Sequence, residues 1–172
     1  GIGLKLKLAQ RQWALDHGHT VISWTFDPMQ RGNASFNFHH LGGTASIYYV
    51  DYYGEMTDAL NAGLASDRLE VRWLLDDARS AAVPAEYDPA AFVLRAGDDG
   101  TLLRAPESAF ARPVCFIEIP YNLSALKRSD MERAQRWQLA LRWAMQEALR
   151  QGYVVVDFVS QEARGWYVLR RP

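Results

Sequence analysis

The chain has 172 residues, 49% apolar and 23% charged, which is the composition of a folded globular protein of one domain or two small units and excludes disordered, collagen-like and low-complexity classes. With 19 Lys and Arg against 20 Asp and Glu the net charge is −1, so the electrostatic drive toward nucleic acid or an anionic membrane is missing. The single cysteine, Cys115, excludes an internal disulfide, and the absence of a bilayer-length apolar run or a signal peptide gives the expectation of a cytoplasmic protein.

Gly1-Ile2-Gly3 opens directly into good helix formers, with Leu4, Leu8, Ala14 and Leu15 able to share one face and Gly18 as the stop. A glycine-flanked helix start suits a phosphate cradle, because small residues let the backbone approach an anion and the first-turn N–H groups point at it. The same residues also suit a plain N-terminal helix. Thr20 to Phe26 alternates as a strand, with Ile22, Trp24 and Phe26 on one face, and Asp27-Pro28 ends it. Asn33 is a cap for a short helix to about Leu41, closed by Gly42-Gly43. Ala45 to Tyr53 is tyrosine-rich and reads as a strand. After an expected short helix around Met56 to Asn61, Asp67 to Leu75 alternates as another strand with Leu69, Val71, Trp73 and Leu75 inward.

Residues 78–112 are rich in Pro and Ala and read as a connector. Within it, Phe92–Arg95 and Thr101–Arg104 flank Gly97-Asp98-Asp99-Gly100 as a hairpin. Val114 to Ile119 is a buried strand by its apolar run. Ser129-Asp130-Met131-Glu132 has the form of a capping box. The helix it opens carries Ala134, Trp137, Leu141, Ala144 and Ala148 as one stripe to about Arg150. Gly152 ends it, and Tyr153–Val159 and Trp166–Arg170 follow as strands separated by Gly165. The fold class is therefore α+β, a mixed sheet with flanking helices. Its expected organisation is a unit over 1–77, a connector with hairpin over 78–112, and a strand-helix-strand-strand unit over 113–172 that repeats the order of the first in outline, either packed beside it as a second half or extending one continuous sheet.

The order glycine turn, helix, strand, helix, strands resembles the C-terminal half of the GNAT acetyltransferase fold. A closer likeness is to an uncharacterised bacterial group described as predicted GNAT-superfamily acetyltransferases. It is carried by Trp24-Thr25-Phe26-Asp27-Pro28, Asn33-Ala34 with Phe36-Asn37 and Leu41-Gly42, Tyr53-Gly54-Glu55-Met56, Asn61-Ala62-Gly63-Leu64 and Ser66-Asp67-Arg68-Leu69. The likeness is looser through Ile119-Pro120, the helix containing Trp137, and Gly152-Tyr153. The resemblance implies an acyl-CoA-dependent N-acyltransferase that uses acetyl-CoA and no metal. Its acceptor would be a small-molecule or peptide amine. The resemblance also implies that the N-terminal strands of that fold are absent from this chain.

Carried over, Gly1, Ile2 and Gly3 end a pyrophosphate loop, Lys5 and Lys7 stand near it, and Asn33 begins the helix beneath the pantetheine arm. Where the family often places a tyrosine acid, this sequence has Phe38, which has no proton to give. The catalytic residues stay unassigned, with Asp27, Tyr52 and Tyr53 as candidates and Tyr48 and Tyr49 beside them. Asp27 is either a base for the substrate ammonium or an ordinary turn residue. His17, His19, His39 and His40 lack Cys or carboxylate partners at ligand spacing, so no metal is expected. Cys115, among apolar neighbours, is a packing residue. A noncatalytic CoA-binding or protein-interaction domain is the alternative reading. A truncated sheet leaves an unpaired edge, which gives the expectation of a homodimer.

Overall fold

A computed structural model describes residues 1–54, 63–76 and 87–171. Eight strands form one mixed sheet in the order β1-β3-β2-β7-β8-β6-β4-β5. The strands are β1 (Val21–Phe26), β2 (Thr44–Tyr49), β3 (Arg68–Leu74), β4 (Phe92–Ala96), β5 (Leu102–Arg104), β6 (Val114–Glu118), β7 (Val154–Gln161) and β8 (Arg164–Arg170). Among the described residues four α-helices accompany them: α1 (Ile2–Asp16), α2 (Arg31–Ala34), α3 (Leu123–Ser129) and α4 (Met131–Arg150). Among the described residues no helix is long and apolar enough to cross a membrane.

The sheet contains the same arrangement twice. β3 lies between β1 and β2 and is antiparallel to both. β8 likewise lies between β6 and β7, antiparallel to both. Each unit is thus a split β-α-β, in which two strands of one direction are separated by a third that returns between them. The units join where Ala45 of β2 pairs with Val155 of β7. Residues 78–112, read above as a connector, also contribute to this sheet. Their hairpin pairs β4 with β5, and β4 then runs parallel to β6.

Periodicity accounts for the core. Leu69, Val71, Trp73 and Leu75 are buried on one face of β3, and Ala134, Trp137, Leu141, Ala144 and Ala148 are buried along α4. One cluster joins Phe26, Phe38, Leu69 and Val71 of the first unit to Ile117, Leu141, Phe158 and Tyr167 of the second. A second cluster, Phe92, Phe116, Trp166 and Val168, occupies the alternate positions of the same strands, hence the opposite face. α1 packs through Leu4, Ala14 and Leu15 beside Trp73 and Leu75. Leu8, expected on that face, is half exposed.

Several local expectations are corrected. Asn33 is no cap: α2 starts at Arg31 after an extended Gln30, because Asp27 already turns the chain by accepting the Met29 N–H at 2.9 Å. The helix continues as a π-helical turn over Ser35–His40 and ends at Gly42, which has φ of +72°. β2 stops at Tyr49, so Tyr52 and Tyr53 stand in a turn and not in a strand, with Asp51 at φ of +48°. The cap of α4 is Asp130, whose carboxylate accepts the Arg133 N–H at 2.8 Å. Ser129 instead ends α3, its hydroxyl donating back to Ala125 O and Leu126 O. α3, capped by Asn122, had no counterpart in the sequence reading. The β7–β8 turn is at Glu162 and Ala163. Gly165 lies within β8, where a Cβ would come within 3.0 Å of Phe158 and 3.2 Å of Arg31. The helix expected around Met56 to Asn61 lies outside the described residues.

Candidate functional site at the carboxyl ends of the strands

In open sheets with crossing helices, ligand sites gather at the carboxyl ends of parallel strands, because helix N-termini and strand-end loops meet there. Two cavities lie at such ends here, on either side of α3. One, of about 420 Å³, includes Ala96, Glu118, Tyr121, Arg133, Trp137 and Arg164 in its lining. The other, of about 160 Å³, includes Asp27, Ser66, Asp67, Arg68, Ser124 and Lys127. Leu126 of α3 faces the first and Leu123 the second.

The larger cavity sits where β4 and β6 part. β4 carries an irregularity between Phe92 and Leu94. At its end the Ala96 N–H donates to Glu118 Oε2 at 2.9 Å, so a carboxylate stands between the two strand ends. Arg164 closes on the same group in a fork, Nε to Oε1 at 2.9 Å and Nη2 to Oε2 at 2.7 Å. Glu118 is buried, and the bidentate pairing satisfies it.

The smaller cavity is built by the turn after β1. Asp27 Oδ1 accepts the Met29 N–H, and its Oδ2 accepts from Gln30 Nε2 at 3.3 Å. The turn is anchored across the molecule by Tyr167, whose hydroxyl donates to Pro28 O at 2.6 Å. Arg31 ties it further to Tyr121 O at 3.2 Å and Ser160 Oγ at 2.8 Å. Burial pushes the Asp27 carboxyl above its ordinary pKa. The Met29 and Gln30 hydrogen bonds and the charges of Arg68 and Lys127 act in the opposite direction without reversing the shift. A carboxyl of raised pKa beside a cavity is the setting in which acid-base groups are found. Asp67, on the same wall, is differently placed. It pairs with Arg142 through two contacts of 2.9 Å, and also accepts the Tyr48 hydroxyl at 2.7 Å and the Asp51 N–H at 3.0 Å.

The remaining candidates fall as follows. Gly1, Ile2, Gly3 and Lys5 form the exposed start of α1, which no side chain caps. α1 runs back against β1, with Lys7 3.7 Å from the centre of the Trp24 ring and Gly3 beside Phe36. Its N-terminus therefore points toward the end of the sheet that carries Asp27. Asn33 is exposed on α2. Tyr53 joins the Asp27 site indirectly: its ring lies 5.0 Å from the Arg68 guanidinium, and its N–H donates to Ser66 Oγ. Tyr52 stacks edge-on between Tyr49 and Tyr53 and is about half exposed. Tyr48 is held by Asp67 and Tyr49 by Glu70 at 2.6 Å, and both hydroxyl pKa values are raised, Tyr48 first by burial and Tyr49 first by its hydrogen bond. Phe38 is buried between Phe26 and Tyr167. Burial pushes the Cys115 thiol up to about 12.

Arg68, Glu118 and Arg164 were not singled out as site residues from the sequence. Their only signal was a charge at the edge of an apolar strand. Comparison with protein-family models, curated proteins and solved structures finds no match for the chain.

Proposed function

We propose that the chain is an acyl-CoA-dependent N-acyltransferase unit of GNAT-like fold, transferring acetyl from acetyl-CoA to an amine. The observation that carries this reading is Asp27, a largely buried carboxyl of raised pKa on a cavity at the end of β1, the end of the sheet at which the uncapped α1 also starts. The split β-α-β order of the first unit, with β3 returned between β1 and β2, supports the same reading.

The residues present suit the cosubstrate. Gly1 and Gly3 have no Cβ to fend off a phosphate, the first-turn N–H groups are free of side-chain caps, and a Cβ on Gly3 would meet only Phe36, at 3.9 Å. Lys5 adds a cation beside them, and Asn33 an exposed amide on the neighbouring helix. In the reaction, Asp27 takes a proton from the acceptor ammonium, which frees the nitrogen lone pair to attack the thioester carbonyl. Collapse of the tetrahedral species breaks the C–S bond, and the second nitrogen proton leaves to the departing thiolate. Backbone amides and positioning supply the remaining acceleration. A second reading, a noncatalytic CoA-binding or interaction domain, rests on Phe38, which leaves the position expected of an acid without a proton.

Calorimetric titration with acetyl-CoA, with adenosine as control, tests the cosubstrate. Saturable binding is expected, and Gly3→Leu should abolish it while leaving the melting temperature unchanged or higher, since glycine weakens a helix by roughly 0.5–1 kcal/mol relative to alanine. No binding to the wild-type chain would remove the support for an acyl-CoA site. We further propose that β1, the six-residue edge strand opposite the three-residue edge strand β5, pairs with a second copy. Light scattering should then give twice the 19.5 kDa chain mass, and a strictly monomeric mass would count against the pairing.

A further inference from the structure

We infer that the cavity at the end of β1 is a binding site for a small α-amino acid, its carboxylate held by Arg68 and its amine directed at Asp27. The inference rests on the acyltransferase reading only in making that amine the acetyl acceptor.

The two units place the same pair of charges at corresponding positions and hold them differently. Each has an acidic residue at the end of its first strand, Asp27 directly after β1 and Glu118 as the last residue of β6. Each has an arginine as the first residue of the returning strand, Arg68 in β3 and Arg164 in β8. In the second unit the pair is closed, because Glu118 reaches both forks of Arg164. In the first unit the acid is shorter by one methylene and does not reach the arginine, and each of its oxygens accepts one hydrogen bond, from the Met29 N–H and from Gln30, which leaves each a further lone pair. Arg68 forms no ion pair among the described residues, and its Nε is buried without a hydrogen-bond partner. Arg68 lines the cavity, and no carboxylate among the described residues closes on its fork as Glu118 closes on that of Arg164, so a carboxylate entering the cavity has a guanidinium to meet. What satisfies Arg164 is a carboxylate in a planar fork, the geometry that arginine selects.

Charge and size narrow the ligand. Arg68 brings a positive charge to the cavity. Asp67, which also lines it, is already matched by Arg142. Asp27 remains to face an amine. The volume of about 160 Å³ is close to that of the roughly 150 Å³ cavity that holds a benzene-sized molecule. That admits a ligand of about six non-hydrogen atoms, the size of alanine, in which one carbon separates amine from carboxylate.

The test is calorimetric titration of L-alanine into the full chain, with acetate and methylamine as half-ligands and inorganic phosphate as a competing anion. Saturable binding of L-alanine is expected, with acetate at least tenfold weaker. Arg68→Gln should weaken both L-alanine and acetate at least tenfold, as should Arg68→Lys, which retains the charge but not the fork. Asp27→Asn should weaken L-alanine and leave acetate within twofold. Thermal melts of each variant confirm that it is folded. Absence of alanine and acetate binding to the wild type would overturn the inference, as would binding insensitive to both Arg68 substitutions, or phosphate binding in place of acetate. Alanine binding without acetyl-CoA binding overturns the acyltransferase reading and leaves the amino-acid site standing. Acetyl-CoA binding without alanine binding does the reverse.

Discussion

Replacing Asp67 by alanine is expected to destabilise the protein by about 3–5 kcal/mol, the cost typical of removing one partner from a buried ion pair. The side chain of Asp67 is 1% exposed and that of Arg142 24%. The substitution leaves four donors stranded: the two N–H groups of the Arg142 fork, the Tyr48 hydroxyl and the Asp51 N–H. For a chain of this length each kcal/mol corresponds to about 2–4 °C in melting temperature, so a fall of roughly 6–20 °C is expected in a thermal melt. The pair links the start of β3 to the middle of α4, across the joint between the two units. The loss should therefore appear as one cooperative transition at lower temperature, not as early melting of one half. The double variant Asp67→Ala with Arg142→Met should recover part of the loss, because it no longer leaves a guanidinium without its carboxylate. A single variant within about 1 kcal/mol of the wild type would mean that water replaces the carboxylate, and that the joint is held by apolar packing alone.

The parts of this structure that were legible in the sequence are those in which one residue type repeats at one period. β3 alternates charged and apolar residues from Arg68 to Trp73, and α4 carries a 3-4-3-4 stripe; each repeats its signal often enough to survive local noise. α3 was not legible because it spans seven residues, about two turns, too few for a stripe, and it follows Pro120 in a segment that reads as loop. The start of α4 was misplaced by one residue because Ser129 and Asp130 are both good caps, and only the α3 backbone decides that Ser129 is spent elsewhere. Tyr52 and Tyr53 have strand propensity, but the left-handed Asp51 turns the chain before them. At the site, Asp27 was visible as an acid that ends a strand. The arginine across the cavity from it was not, since Arg68 is 41 positions away and is brought to the same cavity only by the β1–β3 register, in which Phe26 opposes Leu69. The same holds for Glu118 and Arg164, separated by 46 positions. Whether a strand-end charge is paired or open is set by such registers, and a single sequence does not display them.

The second large effect is expected at Asp27, and it should have opposite signs for activity and stability. On the acyltransferase reading Asp27→Asn removes the base, and the rate of acetyl transfer to L-alanine, followed by release of free thiol, should fall by about 10²–10⁴-fold. The melting temperature at neutral pH should rise. In the folded chain burial raises the Asp27 pKa above its ordinary value of 3.8, so between those two values the folded state holds a proton that the unfolded state has released. Stability contributed by this group is therefore present at low pH and lost as pH rises from the unfolded value through the folded one. Asparagine is neutral throughout, still offers an oxygen to the Met29 N–H, and removes that pH-dependent loss. The wild-type transfer rate should rise with pH through the same raised pKa, as the carboxylate forms, and the residual rate of the variant should lack this limb. A structural turn residue behaves otherwise: its replacement lowers stability, or leaves it unchanged, and leaves the pH profile where it was. A variant that is less stable and equally active would return Asp27 to that role and would remove the observation on which the acyltransferase reading stands.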